Sequence, residues 1–381
     1  MVGPLDQKPR YAEFFAGGGM VSAALSPGWD CVLANDIDPK KCLTYRENFP
    51  DHPLIEGDIA TLEAEAHADL FWASSPCQDF SLAGRGQGLR GKRSSTFSHF
   101  ADILDRAASA GQAPRIVAFE NVVGLVSRNG SKDFHTVLRR IAAAGYRVGA
   151  VEIDAMQFLP HSRPRLFVIA VRDDVQIPPS LVQDQPGAFH SKRVQAGLAT
   201  APRAVKDRWV WWSLAAPVDA TVPIADFIQT DAKQDWFNRS QLARLKALMP
   251  PLHAKRLAGL VNAKGSAICF AYKRGRPDAT GRVRQVAELR FDGNAGCIRT
   301  PAGGSSRQIV LVAGDGKLRA RLLNPREAVR LMGLSDSYAL PDRFNEAYKI
   351  AGDGVAVPVV KHLDAHLFQP LLRAARLDIA A

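Results

Sequence analysis

No run of about 18 or more apolar residues occurs anywhere in the sequence, so nothing in it reads as a membrane span. The first ten residues are polar and contain proline. They lack the apolar stretch of a secretory signal, and the protein is expected to stay inside the cell. Cysteine is scarce: Cys31, Cys42, Cys77, Cys269 and Cys297 are odd in number and scattered, and no two have Cys-x-x-Cys spacing. That excludes a recognisable zinc ligand set and a disulfide framework, and no metal is expected. Internal repeats and low-complexity segments are also missing. Acidic residues are in the minority, 38 against 49 Lys and Arg, which leaves a net charge of +11. Such a balance suits a polyanionic partner, although charge by itself is a weak pointer. The excess is concentrated: Lys233 to Arg290 holds 13 basic and 3 acidic residues. A solvated face would explain that run too, but nucleic-acid contact fits better with the motifs below.

At 381 residues the chain suits one large domain with a smaller insert or appendage. The apolar fraction of 46% and charged fraction of 23% are those of an ordinary globular protein. Through the first 175 or so residues, short apolar runs alternate with helical stretches, which predicts a mostly parallel sheet. Strands are expected at Tyr11 to Ala16, Cys31 to Ala34, Leu70 to Ala73 and Ile116 to Phe119. Helices are expected at Met20 to Leu25 and Pro39 to Asn48. Arg147 to Asp154 and Leu166 to Val171 read as an antiparallel pair. From Asp173 to about Leu318 periodicity is poor, and the segment reads as a separate irregular domain, with Trp209, Trp211 and Trp212 more consistent with core than with base stacking. Helical pattern returns at Asn324-Pro325-Arg326-Glu327, which carries an N-cap, a proline at the first helical position and an acid at the third.

Gly17-Gly18-Gly19 follows the first strand and opens the first helix. Glycines there let the backbone turn sharply and approach a ligand. Asp36, 19 residues after Gly17, ends the second strand, placed to accept hydrogen bonds from ribose hydroxyls. Asp58 would follow the third strand and face an adenine amine. Alone, this pattern fits dinucleotide and S-adenosylmethionine enzymes alike, or a tight turn in any doubly wound fold.

Cys77 lies just past the carboxyl end of a strand, where ligands bind in open α/β sheets. A buried thiol is the commoner fate of a cysteine. Three features favour a nucleophile instead. The following segment, Leu82 to Ser95, is glycine-rich and carries Arg85, Arg90, Lys92 and Arg93, as a loop closing on a phosphate backbone would. The strand ending at Phe119 delivers Glu120 to the same sheet edge. Arg163 and Arg165 alternate at the start of a strand, so both can face one side.

These motifs resemble those of the bacterial DNA (cytosine-5)-methyltransferase family. Pro76-Cys77-Gln78 matches its nucleophile motif and Glu120-Asn121-Val122 its Glu-Asn-Val motif. His161-Ser162-Arg163-Pro164-Arg165 matches Gln-x-Arg-x-Arg with His for Gln. Arg321 to Gly333 matches the later Pro-Arg-Glu motif, and Gly352-Asp353-Gly354-Val355 stands for Gly-Asn-x-Val with Asp for Asn. The set keeps the family order from Tyr11 to about Val360. Departures are Met20 for the last glycine of the turn and Ile37 where some members place Trp.

The resemblance implies a Rossmann-like S-adenosylmethionine methyltransferase sheet, α/β and mostly parallel with one antiparallel strand, plus a smaller irregular target-recognition domain. The implied division is 1–184 for the first catalytic part, 185–319 for target recognition and 320–381 for a return to the catalytic domain. The implied activity is methylation of carbon 5 of a specific cytosine in double-stranded DNA. Cys77 would attack carbon 6 of a flipped-out base, Glu120 would hold ring nitrogen 3, and Arg163 and Arg165 would orient the base. S-adenosylmethionine, leaving as S-adenosylhomocysteine, would contact Phe15, Gly17, Gly19, Asp36, Ile37, Asp58, Ile59, Pro76, Asp353 and Gly354. DNA would contact Ser81, Arg85, Arg90 and Arg93 on the closing loop, and Arg274, Arg276, Arg282 and Arg284 in the insert. A monomer is expected, acting alone or beside a restriction endonuclease that shares its site. The rivals are an RNA cytosine-5 methyltransferase, a catalytically dead DNA-binding protein and a nicotinamide dehydrogenase. The long basic insert before Arg321 favours DNA over RNA.

Overall fold

A computed structural model describes residues 7–63, 66–76, 96–217, 222–231, 233–301 and 307–380, the last five as backbone only. Two compact units emerge. One comprises Met1–Asp154, Pro164–Val218 and Val357–Ala381; the other comprises Ala155–Arg163 and Asp219–Ala356.

The first unit is built on a seven-stranded sheet: β1 (Arg10–Phe14), β2 (Asp30–Asp36), β3 (Leu54–Glu56), β4 (Leu70–Ser74), β5 (Ile116–Val122), β6 (Tyr146–Asp154) and β7 (Pro164–Arg172). Their order is β3-β2-β1-β4-β5-β7-β6. β1 to β5 pair in parallel, and β7 is antiparallel to both β5 and β6. The central strands read as nearly continuous apolar runs because both faces are covered, as burial of a parallel sheet requires. Phe14 meets Phe71 and Phe100 edge-on, each at 5.3 Å between ring centres, in a core that also takes in the helix Lys132–Ala143. On Trp72 pack Phe167 and Phe368. The returning segment is also tied by Trp29, whose indole donates to Asp364 at 2.8 Å.

The tryptophan segment belongs to this unit. Trp209 bridges to Val148, and Trp212 is buried with its indole donating to the Ile169 carbonyl at 3.2 Å. Gly149 makes room for it: a Cβ there would stand 2.5 Å from the indole nitrogen. The tryptophan segment thus packs against this sheet.

The second unit differs from the irregular domain expected. It holds a four-stranded antiparallel sheet of β8 (Ala267–Pro277), β9 (Val283–Arg290), β10 (Ile309–Gly314) and β11 (Lys317–Leu322), ordered β11-β10-β8-β9. Helices Arg239–Ala247 and Pro251–Asn262 give Leu245 and Leu257 to its core, beside Cys269, Ala271 and Leu311. β8 is apolar in its first half and basic in its second, so no alternation of period two reveals it. Residues 320–356 stay in this unit, where Arg321 and Glu327 form a buried ion pair and Arg321 also holds the Gln229 carbonyl. The helix Pro325–Arg330 opens on the expected cap: Asn324 accepts from the Glu327 amide at 2.8 Å, and Glu327 accepts in return from the Asn324 amide. Among the described residues no helix is long and apolar enough to cross a membrane.

Candidate active site

β1 lies between β2 and β4, so the chain reverses its direction of travel across the sheet there, and the crevice at such a point is where open α/β sheets bind ligands. The carboxyl ends of β1, β2 and β4 carry the expected glycine turn, Asp36 and Pro76.

The turn is unusual in its backbone. Phe15 has φ of 61°, a value strained for an aromatic residue, and Gly17 and Gly19 have φ of 58° and 83°. Gly17 has nothing within 4 Å of a built Cβ, so its outer side is open. Gly19 is closed in: a Cβ would stand 2.5 Å from the Phe49 ring and 2.9 Å from Tyr45. Asp36 secures the turn from the next strand. One carboxylate oxygen accepts from the Gly17 amide at 2.8 Å and the other from the Asp38 amide at 2.8 Å. Each oxygen keeps a lone pair for a further donor. Beside it Ile37 is 64% exposed, an apolar shelf in open view. Asp58 is exposed and caps the short helix Ile59–Thr61 through the Ala60 amide. The Ile59 side chain is buried and packs in the sheet core.

Behind the turn is a polar cluster that sequence reading missed. Glu13 on β1 is buried, and its carboxyl accepts from the Ser22 hydroxyl at 2.6 Å. Ser22 also meets Tyr11 at 2.8 Å and Tyr45 at 2.7 Å, and Tyr45 meets His52 at 3.0 Å. Burial, opposed by the Ser22 bond and reinforced by the nearby Asp36 charge, pushes the Glu13 carboxyl up to about 8. The signal was an acid within an otherwise apolar strand.

Cys77 lies outside the described residues, as do Ser81, Arg85, Arg90 and Arg93. The approach to Cys77 is described as far as Pro76. Ser74, last in β4, is in register with Glu120 on β5. Asn121 donates to the Ser75 hydroxyl at 3.0 Å and to its carbonyl at 3.3 Å, which braces the segment two residues before Cys77. Glu120 is buried, and Nε of Arg165 stands 3.0 Å from its Oε1.

The two arginines divide differently from the expectation. β7 starts at Pro164, so Arg163 precedes the strand and the alternation argument does not reach it. Arg165 is the partner of Glu120. The Arg163 guanidinium donates to the carbonyls of Ile298 at 2.7 Å, Gly352 at 2.9 Å and Gly354 at 2.6 Å within the second unit. His161, in the place of Gln, is fully buried and works as an amide would. One ring nitrogen meets the Leu331 carbonyl at 3.1 Å, and the other accepts from the Ile298 amide at 3.1 Å. Asp353 ends the helix Phe344–Asp353 and accepts from the Thr300 hydroxyl, while Gly354 offers its carbonyl to Arg163.

The insert arginines sit on the β8–β9 hairpin. Arg276 and Arg284 face each other across the strands; Arg276 pairs with Glu288 at 2.5 Å and Arg284 with Asp278 at 2.7 Å. Arg274 lies over the Tyr272 ring at 4.3 Å and 3.8 Å from Glu288, and Arg282 is exposed at the hairpin tip.

A family model described as C-5 cytosine-specific DNA methylase matches residues 10–369. The chain belongs to that family. The resemblance carried by the sequence motifs therefore holds, and with it the assignment as a DNA (cytosine-5-)-methyltransferase. Among curated relatives of this methylase, Type II methyltransferase M.HpaII of Haemophilus parainfluenzae is 26% identical over 390 residues, covering 96% of the chain and 91% of the relative. Type II methyltransferase M.HhaI of Haemophilus parahaemolyticus is 24% identical, covering 93% and 92%. M.DsaV of Dactylococcopsis salina is 25% identical, covering 92% and 84%. Among solved structures, DNMT2 of Spodoptera frugiperda superposes with a TM-score of 0.60 at 16% identity, covering 96% of the chain and 100% of that structure. A putative DNA modification methyltransferase encoded within an E. coli prophage gives 0.54 at 18%, covering 96% and 100%. These two likenesses speak for the fold.

Proposed function

We propose that this methylase transfers a methyl group to carbon 5 of a specific cytosine in double-stranded DNA, by covalent addition of Cys77 to a base swung out of the helix. The observation that carries the reading is the buried Arg165–Glu120 pair beside the carboxyl end of β4, three residues before Cys77.

S-adenosylmethionine is the donor in this reading. The residues fit it: an open Gly17, two acids at the ends of neighbouring strands for ribose hydroxyls and an adenine amine, and exposed Ile37 for the adenine face. When bound, it supplies an electrophilic methyl on a sulfonium.

Carbon 5 of cytosine is a poor nucleophile until carbon 6 carries a substituent. The Cys77 thiolate forms a bond to carbon 6. The electron pair displaced toward ring nitrogen 3 is stabilised there by a proton held on Glu120. Arg165 fixes the Glu120 carboxyl in direction. Carbon 5 then forms its bond to the methyl group as the methyl–sulfur bond breaks, leaving the neutral thioether S-adenosylhomocysteine. The carbon 5 proton passes to water, its electron pair re-forms the carbon 5–carbon 6 double bond as the bond to Cys77 breaks and the thiolate leaves, and nitrogen 3 returns its proton to Glu120, which restores the aromatic ring. Flipping the base costs a few kcal/mol by the general scale of unstacking. The type II names of the relatives support a companion restriction endonuclease that shares the site.

The test is incubation with labelled methyl donor and either duplex DNA or transfer RNA, followed by trapping on duplex DNA that carries 5-fluorocytosine. Label is expected in duplex DNA, with a covalent adduct that Cys77→Ala does not form. Label confined to RNA, or a full adduct with Cys77→Ala, sinks the reading.

A further inference from the structure

The cations of the second unit fall into two sets that differ in their partners. From Trp236 to Pro277 the sequence has nine Lys and Arg residues and neither Asp nor Glu. On the hairpin, Arg274 and Arg276 share Glu288, and Arg284 has Asp278. On the helix pair Arg239–Ala247 and Pro251–Asn262, and the turn after it, Arg239, Arg244, Lys246, Lys255, Arg256 and Lys264 are all exposed. Among the described residues none of these six has a carboxylate partner.

Folding does not account for that arrangement. Neither helix has an acid in its first turn, where the helix dipole favours one, and Arg239 occupies the first helical position, where a cation is unfavourable. The helices are held by Leu245, Met249 and Leu257 on the inner side; of the six cations, Arg256 also lies over the Phe291 ring at 4.6 Å, a contact that leaves its charge uncompensated by a carboxylate. Unmatched, hydrated cations of this kind gain most from neutralising phosphates, since counterions are released whatever the base sequence. Arginines already oriented by a carboxylate are better suited to directional contact with a base edge.

We propose that the exposed cations of the helix pair form a sequence-independent docking surface for the phosphate backbone of duplex DNA, separate from the arginine hairpin. The surface rests on the DNA reading above. It adds charge neutralisation beyond the target base and sets most of the salt sensitivity of binding.

The experiment measures binding of a mixed-sequence duplex across a salt series, for the whole chain and for the variant Arg244→Gln/Lys246→Gln/Lys255→Gln/Arg256→Gln. All four positions are exposed, and a melting curve checks the fold. The slope of log affinity against log salt is expected to fall in magnitude by about 2 to 4, near 0.9 for each phosphate that is no longer neutralised. An unchanged slope in the folded variant overturns the surface while leaving the DNA reading intact. Wild-type protein without salt-dependent duplex binding overturns the DNA reading and the surface with it. A slope change seen only with an RNA hairpin assigns the surface to RNA and overturns the proposal.

Discussion

Nε of Arg165 lies 3.0 Å from Oε1 of Glu120, and both side chains are nearly closed off from solvent. A charge held this way cannot reorient freely, so the carboxyl presents a fixed edge at the end of β5. Glu120→Gln keeps the shape but loses the exchangeable proton. Turnover is expected to drop on the order of 10² to 10⁴-fold, with cofactor affinity unchanged by calorimetry. An equal loss in cofactor affinity would place Glu120 in binding. Arg165→Lys keeps the charge without the planar fork, and a smaller loss than with Arg165→Ala is expected.

Arg163 should behave differently. It supplies donors to three backbone carbonyls in the second unit. Arg163→Ala leaves those acceptors without their charged donor, at about 1 to 3 kcal/mol for each such loss. Urea unfolding should show a clear fall in midpoint. A variant with wild-type stability and impaired chemistry would restore the direct role in orienting the base.

The two turn glycines should respond unequally. At Gly17 an alanine finds open space and meets only the left-handed backbone penalty, about 1 to 2 kcal/mol. At Gly19 the added methyl collides with Phe49 and Tyr45 as well. Gly19→Ala is expected to lower the melting temperature more than Gly17→Ala. Equal melting temperatures would mean that the rings yield at no cost.

Glu13 introduces a pH dependence with a definite sign. The folded chain holds this proton up to about 8, against an ordinary value of 4.5. Between those values the folded state binds more protons than the unfolded one, so stability falls as the pH rises. The stabilising share is complete below 4.5 and gone above about 8. Glu13→Gln has no proton to lose and can still accept from Ser22. It should therefore match or trail wild type at acid pH and exceed it above about pH 8, on the order of a few kcal/mol. Parallel stability curves across roughly pH 5 to 9 would show that Glu13 ionises normally.

The resemblance was legible because its residues are adjacent in sequence. Glu120-Asn121-Val122 and Pro325-Arg326-Glu327 are local patterns, and the cap at Asn324 needs only residues three apart. The antiparallel sheet of the second unit was hidden because β8 changes from apolar to basic along its length and one of its two partners, β10, lies far along the chain. Arg163 and Arg165 show the same limit on a smaller scale. Their spacing suggested one face, but the strand begins between them at Pro164, a residue with no N–H to give to a ladder.

By itself the sequence pointed to the family, through short motifs in a fixed order, and placed most of the central strands and helices, since each of these is a pattern among neighbouring residues. Only the tertiary structure decided that Arg165 is the cation on Glu120, that Arg163 and His161 bind backbone, and that Glu13 is buried behind the glycine turn. Those outcomes depend on which distant groups meet where water is excluded. There a carboxyl or guanidinium takes its partner from whatever packing brings within about 3 Å, a distance that spacing along the chain does not encode.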